Sequence, residues 1–173
     1  MRSAVVLLLS ALLPAASAAP AHVLDQDRRQ IEDLTQRYFE HRAAKVTNRE
    51  QAPGFGVPTT EAFAAQLQLD EARLADRRER LGALPFGGYS RAQVGTGLTR
   101  VVVSADGSAV VHVQEVTDLY FEKSDGVTHT SFGMPHVLIF DHTPSGWVLA
   151  AATRPPGSVC KVPPETQFCG SER

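Results

Sequence analysis

Cysteine is scarce in this sequence, two among 173 residues, and so is lysine, with Lys45, Lys123 and Lys161 as its only members. Two cysteines with no histidine at ligand spacing argue against the Cys/His framework of a structural zinc site. They also exclude a scaffold held together mainly by many disulfides. No apolar run approaches the roughly 20 residues that span a bilayer as a helix. No glycine-rich phosphate loop is present, Gly95-Thr96-Gly97 being a lone short pair. Ser90, Ser104 and Ser131 lack a nucleophile-elbow context, so serine hydrolase chemistry has no support. Basic charge is in no excess, with 17 basic against 19 acidic side chains and a net charge of −2. That weighs against nucleic acid, which wants a basic face, and against anchoring on anionic lipid by charge.

What is present begins with an export signal. Met1-Arg2-Ser3 carries one positive charge, an apolar run follows over 4–13 broken only by Ser10, and Ala16-Ser17-Ala18 supplies small residues. These are the three parts of a signal peptide, and cleavage is expected after Ala18. The alternative is an uncleaved N-terminal anchor. Export implies a secreted, extracellular product with no membrane attachment after cleavage. The remainder, with 21% charged residues over the whole chain, has the size and composition of one globular domain. Cys160 and Cys169 would then meet an oxidising compartment, where a structural disulfide is expected; a redox or metal pair is the other reading.

Residues 25–46 read as a helix capped by Asp25 or Asp27, with Ile31, Leu34 and Tyr38 on one stripe. Two prolines and two glycines in 51–58 break it. Thr59 or Thr60 caps a second helical region whose Phe63, Leu67, Leu74 and Leu81 lie near one face, with a bend expected at Leu69 and a fresh cap at Asp70. After Tyr89 the pattern changes to period two and β-branched residues. Strands are expected over 94–104, 109–122, 128–141 and 146–153, joined at Asp106-Gly107, Asp125-Gly126 and 143–146. Helices first and a meander second give an α+β fold, with N-terminal helices packed on a curled four-stranded antiparallel sheet. Such a sheet forms a cone open at one end. The domain organisation is a signal over 1–18, the helix and sheet domain over 19–153, and a proline-rich tail over 154–173.

This element order resembles the nuclear-transport-factor-two-like fold, which also houses ketosteroid isomerases, dehydratases and polyketide cyclases. The stretch from Val111 to Phe121, with His136-Val137-Leu138-Ile139-Phe140 and Gly146-Trp147-Val148-Leu149, is more locally similar to a domain that precedes amidase domains in secreted actinobacterial proteins. The residues after the last strand are too few for an amidase domain, so that activity is not expected to follow.

Alternation divides the second strand into two faces. Val111, Val113, Glu115, Thr117, Leu119 and Phe121 share the more apolar one, expected to face the helices. Glu115 and Thr117 would then point into the cone, where desolvation tunes a carboxylate as an acid or base. The plainer alternative pairs Glu115 with an arginine such as Arg100. The other face carries His112, Asp118 and Tyr120. If it were the inner one, Asp118 and Tyr120 would be the residue types that isomerases of this fold use; as an outer face it suits a homodimer. Glu115, Asp118 and Tyr120 are therefore the catalytic candidates, and Tyr38, Phe63, Thr117, Leu119, Phe121 and Trp147 the candidate pocket lining. His129 and His136 lie seven apart and face opposite sides, while Gly133 and Pro135 suggest a bulge or an edge between them. No metal and no cofactor is expected. Two functions remain: a secreted binding or accessory module for a small apolar molecule or an extracellular protein, or a cofactor-free isomerase, dehydratase or cyclase working in the cone.

Overall fold

The computed structural model describes residues 25–49, 52–156 and Thr166. The signal segment and both cysteines, with the expected disulfide, lie outside the described residues. Two helices, α1 (Asp25–Ala44) and α2 (Glu61–Gly82), precede four strands, β1 (Tyr89–Val103), β2 (Ser108–Phe121), β3 (His129–Thr143) and β4 (Gly146–Thr153). The strands form one antiparallel sheet in the order β1-β2-β3-β4. The architecture is α+β, with the helices on one face of an open sheet.

Acids in the first turn of α1 and His41 and Arg42 in its last complement the helix dipole. Its buried face comprises Ile31, Leu34, Thr35, Tyr38, Phe39, Arg42 and Ala43. In α2, Thr60 is the N-cap and its hydroxyl accepts from the Phe63 amide at 3.4 Å. The bend expected at Leu69 is absent, and α2 runs unbroken to Gly82. No glycine or proline interrupts it there, and the Asp70 carboxylate faces Arg42 and Arg73 side chains instead of capping backbone amides. Leu69 is consequently on the wet side, 59% exposed.

β1 begins at Tyr89, earlier than the alternation suggested, because backbone from the preceding loop pairs with it: the Asn48 amide donates to the Tyr89 carbonyl at 2.7 Å. Gly95-Thr96-Gly97 thereby sits inside a strand. The Asp106-Gly107 turn forms as expected, with Gly107 at φ +85°. The Ser108 amide and hydroxyl donate to Asp106 at 3.0 and 2.8 Å, which hold its carboxyl below the usual range. Asp125-Gly126 differs. Residues 122–128 make a wide loop in which Gly126 has no positive φ and its amide donates to the Ser124 hydroxyl at 3.4 Å.

One core joins both helices to the sheet, centred on Ile31, Leu34, Tyr38, Phe39, Phe63, Leu67, Leu74, Val111, Leu119, Leu138, Phe140 and Leu149. The face of β2 carrying Val111, Val113, Glu115, Thr117 and Leu119 is the buried one. Trp147 is buried and its indole N–H donates to Asp27 at 3.1 Å, which ties the start of α1 to β4.

Two sheet edges are covered in part by the chain itself. On β1, the Gln36 side-chain amide donates to the Val94 carbonyl at 2.8 Å and accepts from the Thr96 amide at 3.1 Å, as a strand would. On β4, Leu149 exchanges hydrogen bonds with Pro58 and Thr60 at 2.9 and 3.1 Å. β3 is nearly twice as long as β4, and their pairing stops at Val137 opposite Thr153. The register of β2 on β3 passes Gly133 and Pro135 without a shift, so this segment is an edge and not a bulge. The Val137 carbonyl faces β4, accepting from the Thr153 hydroxyl at 3.3 Å, while the Thr128 carbonyl faces β2. By alternation the odd-numbered residues of β3 aim their backbone groups away from β2. The Pro135 nitrogen therefore points to the edge, where the missing N–H costs no bond to β2.

Candidate functional site

Inside the sheet, Glu115 and His136 meet. Glu115 is 1% exposed. His136 Nε2 lies 2.7 Å from Glu115 Oε2, and the Thr117 hydroxyl donates to Oε1 at 2.7 Å. His136 reaches Glu115 diagonally, because its direct partner across the ladder is Val113. Its ring centroid is 4.7 Å from that of Phe39 on α1. The expected partner of Glu115, Arg100, lies beside His112 instead.

A second buried polar group adjoins the first. The Arg42 guanidinium donates from Nη1 to Tyr38 Oη at 3.1 Å and from Nε to the Thr166 carbonyl at 2.7 Å, and stands 3.6 Å from Asp70. Burial opposes its charge, but Tyr38, Asp70 and Glu115 outweigh that and raise its pKa above the ordinary value. Arg154 is pushed the other way, by burial first and then by the nearby charge of Arg42. The hydroxyls of Thr35 and Thr166 are buried with no hydrogen-bond partner among the described residues.

Tyr38 is fully surrounded, and burial pushes its phenol above the ordinary value of 10.0 even though Arg42 pulls it down. A raised phenol pKa favours the neutral form in the folded chain. Its stabilisation is complete below the unfolded pKa and is lost as pH rises through the folded one. Above pH 10, wild type should lose up to about 1.4 kcal/mol per pH unit more than Tyr38→Phe. Urea melts at stepwise alkaline pH measure it, and parallel slopes would disprove it.

The candidates named from sequence separate. Glu115, Thr117, Leu119, Tyr38 and Phe63 lie on the helix side of the sheet, and Phe121 stacks on Tyr89 at the end of that core with centroids 5.5 Å apart. Trp147 lies at the start of α1. Asp118 and Tyr120 are on the opposite face. There Asp118 accepts from the Ser131 hydroxyl. Tyr120 is sandwiched, with the Arg91 guanidinium 3.6 Å over its ring and His129 stacked at 5.1 Å. This row crosses three strands in register. Next to it on the same face, Val116 is 51% exposed between Gly95 and Gly133.

His136 and Arg42 were not singled out as members of an interior site. Parity with Leu138 and Phe140 would have placed His136 inside, and the spacing of 31, 35, 38 and 42 would have placed Arg42 on the buried stripe. Surface grooves of 770, 560 and 400 Å³ occur among the described residues, none lined by Glu115, Thr117 or His136. In the largest, Lys45 is held by Glu71 and the Ala52 carbonyl, and Glu71 also accepts from the Gly54 amide at 3.1 Å. That is a clamp on the loop around Gly54. No group of three or more metal-ligating side chains occurs among the described residues.

No protein-family model matches the chain, and no curated protein matches it. Among solved structures, it is similar to the intermembrane space region of the chloroplast protein ARC6, at 16% identity, covering 73% of this chain and 95% of that one with a TM-score of 0.47. It is similar to the Kfla4162 protein from Kribbella flavida at 18% identity, covering 75% and 89% with a TM-score of 0.47. A conserved protein from Planctomyces limnophilus DSM 3776 aligns at 15% identity, covering 73% and 93% with a TM-score of 0.35.

Proposed function

We propose that this chain is a secreted, non-catalytic binding module of the nuclear-transport-factor-two-like kind. Its partner is an extracellular protein met on the outside of the sheet. The observation that carries this reading is the state of Glu115: it is 1% exposed and both its oxygens are engaged, by His136 and Thr117. A general base needs an oxygen within reach of the proton that it removes. Asp118 and Tyr120 stand on the far side of the sheet from Glu115, so the three cannot act on one molecule. The outer face instead offers Tyr and Arg, which dominate binding hot spots, already ordered by stacking.

The alternative, a cofactor-free isomerase, dehydratase or cyclase acting on a small apolar molecule in the cone, draws on one observation: a carboxylate-held imidazole with an aromatic neighbour is a general-base arrangement. Native mass spectrometry of the protein taken from the medium separates the readings. The expected spectrum shows a bare chain cleaved after Ala18, lighter by two hydrogens at Cys160 and Cys169. 1-Anilinonaphthalene-8-sulfonate should gain no fluorescence on it. A molecule retained one to one and released by Glu115→Gln would overturn the module reading.

A further inference from the structure

We propose that the unpaired half of the β3 edge, His129–Pro135, accepts an extended, uncharged peptide strand from the partner. This deepens the binding-module reading and rests on it. The chain covers part of its other two edges with its own groups, Gln36 and Thr47 on β1 and Pro58–Thr60 on β4. Among the described residues two stretches of edge are left open: β1 after Gly97, which carries Arg100 and a register shift between Leu98 and Arg100, and the first half of β3. Beyond Val137 β3 has β2 on one side and, among the described residues, no strand on the other. The cause is written in the sequence after β4: Arg154-Pro155-Pro156 cannot continue the ladder, because proline has no N–H and of two successive prolines one nitrogen must face β3.

Alternation aims the N–H and C=O groups of His129, Ser131 and Gly133, with the Pro135 carbonyl, into this open lane. Exposed edges are ordinarily blunted by lysine, by proline, by inward charges or by bulges. Of these the segment has only Pro135, since 129–136 contains no Lys, Arg, Asp or Glu and no register shift. Pro135 blocks only the end next to β4.

The chemistry of the lane defines its occupant. An uncharged edge matches an uncharged strand. Residues of that strand pointing toward the helix side would lie beside Thr130, Phe132 and Met134, all half-buried, and so should be apolar. Those pointing outward would lie beside His129, Ser131 and Gly133, with the Gln114 side-chain amide over Gly133. The open lane is about 20 Å long. That is small against the roughly 800 Å² per partner of a stable protein interface, which favours a peptide segment over a second folded copy. Strand addition of this kind takes affinity from main-chain hydrogen bonds and specificity from alternate side chains.

The test titrates isotope-labelled mature protein with the blocked hexapeptide Thr-Val-Tyr-Val-Thr-Val and reads amide shifts and hydrogen exchange. The expected result is new protection of the His129, Ser131 and Gly133 amides. Ser131→Pro, which removes an N–H only from the open lane, should weaken binding by about tenfold or more. A hexapeptide N-methylated at Tyr and at the second Thr should fail likewise on wild-type protein, which keeps the test decisive if Ser131→Pro does not fold. Absence of shifts at the three amides at millimolar peptide, or equal binding by the methylated peptide, would overturn the proposal. So would protection already present in the free protein and lost on dilution or on removal of residues 157–173, since the occupant would then be a second copy or the tail. Shifts confined to Gln114 and Val116 would end the edge proposal and leave the module reading standing. Shifts centred on Glu115 and His136 would end both.

Discussion

His136→Leu is expected to destabilise the protein by about 3–5 kcal/mol, the usual result of removing one member of a buried pair. Glu115 is 1% exposed and His136 4%, so water cannot replace the lost contact. The 2.7 Å separation requires one proton between Nε2 and Oε2, and leucine supplies none. Glu115 would keep the Thr117 hydroxyl but lose the imidazole that faces its Oε2. Glu115→Met combined with His136→Leu should recover most of the loss, because replacing both partners by apolar groups of similar size is often neutral or stabilising. Urea melts of the two single variants and the double one form a thermodynamic cycle. A single substitution costing under about 1 kcal/mol would show that the pair adds nothing beyond packing.

Arg42→Met is expected to cost a similar amount, about 3–5 kcal/mol, by a different route. Methionine fills much of the volume, so the loss is not a cavity. It is the stranding of two groups, since Tyr38 Oη and the Thr166 carbonyl lose the N–H donors that face them, while the Asp70 carboxylate keeps Arg73 at 3.8 Å and the Gln66 side-chain amide at 3.3 Å. Thr166 is fully buried and 124 residues from Arg42 in sequence. Its methyl resonance should therefore shift to a solvent-exposed position in the variant. Arg42→Lys should rescue little, since one ammonium cannot reproduce two directed N–H bonds from a planar fork. An unmoved Thr166 methyl, or a melting curve like that of wild type, would contradict this account of the contact.

The two variants probe parts of the interior that the sequence revealed to different degrees. Glu115 and Thr117 were legible, because alternation with Val111, Val113 and Leu119 places them on the more apolar face. Their partner was not. Arg100 and His136 both flank β2, and which one reaches Glu115 depends on cross-strand register, a property of pairing and not of one strand. Asp118 and Tyr120 could be listed with Glu115 only while the inner face was open to choice. Once the helices cover one side, adjacent residues on a strand are divided between two environments. The helix break at Leu69 failed for a related reason: Asp70 resembles a cap locally, but its carboxylate is drawn to Arg42 on the other helix. The loop at Asp125-Gly126 shows the same limit, since the dipeptide favours a tight turn only when the flanking strands end beside it.

Local chemistry by itself determined the element types, their order and the α+β class. Helix stripes, caps, strand alternation and the Asp106-Gly107 turn act over a few residues, and their energies do not depend on distant neighbours. It also determined that β4 must stop at the prolines after Thr153. Only tertiary structure decided what the interior holds and what the outside offers. The Glu115–His136 pair, the Arg42 contact with Thr166 and the open half of β3 each join residues far apart in sequence. Such contacts form when long-range packing fixes register and face, and that information lies in no single segment of the chain.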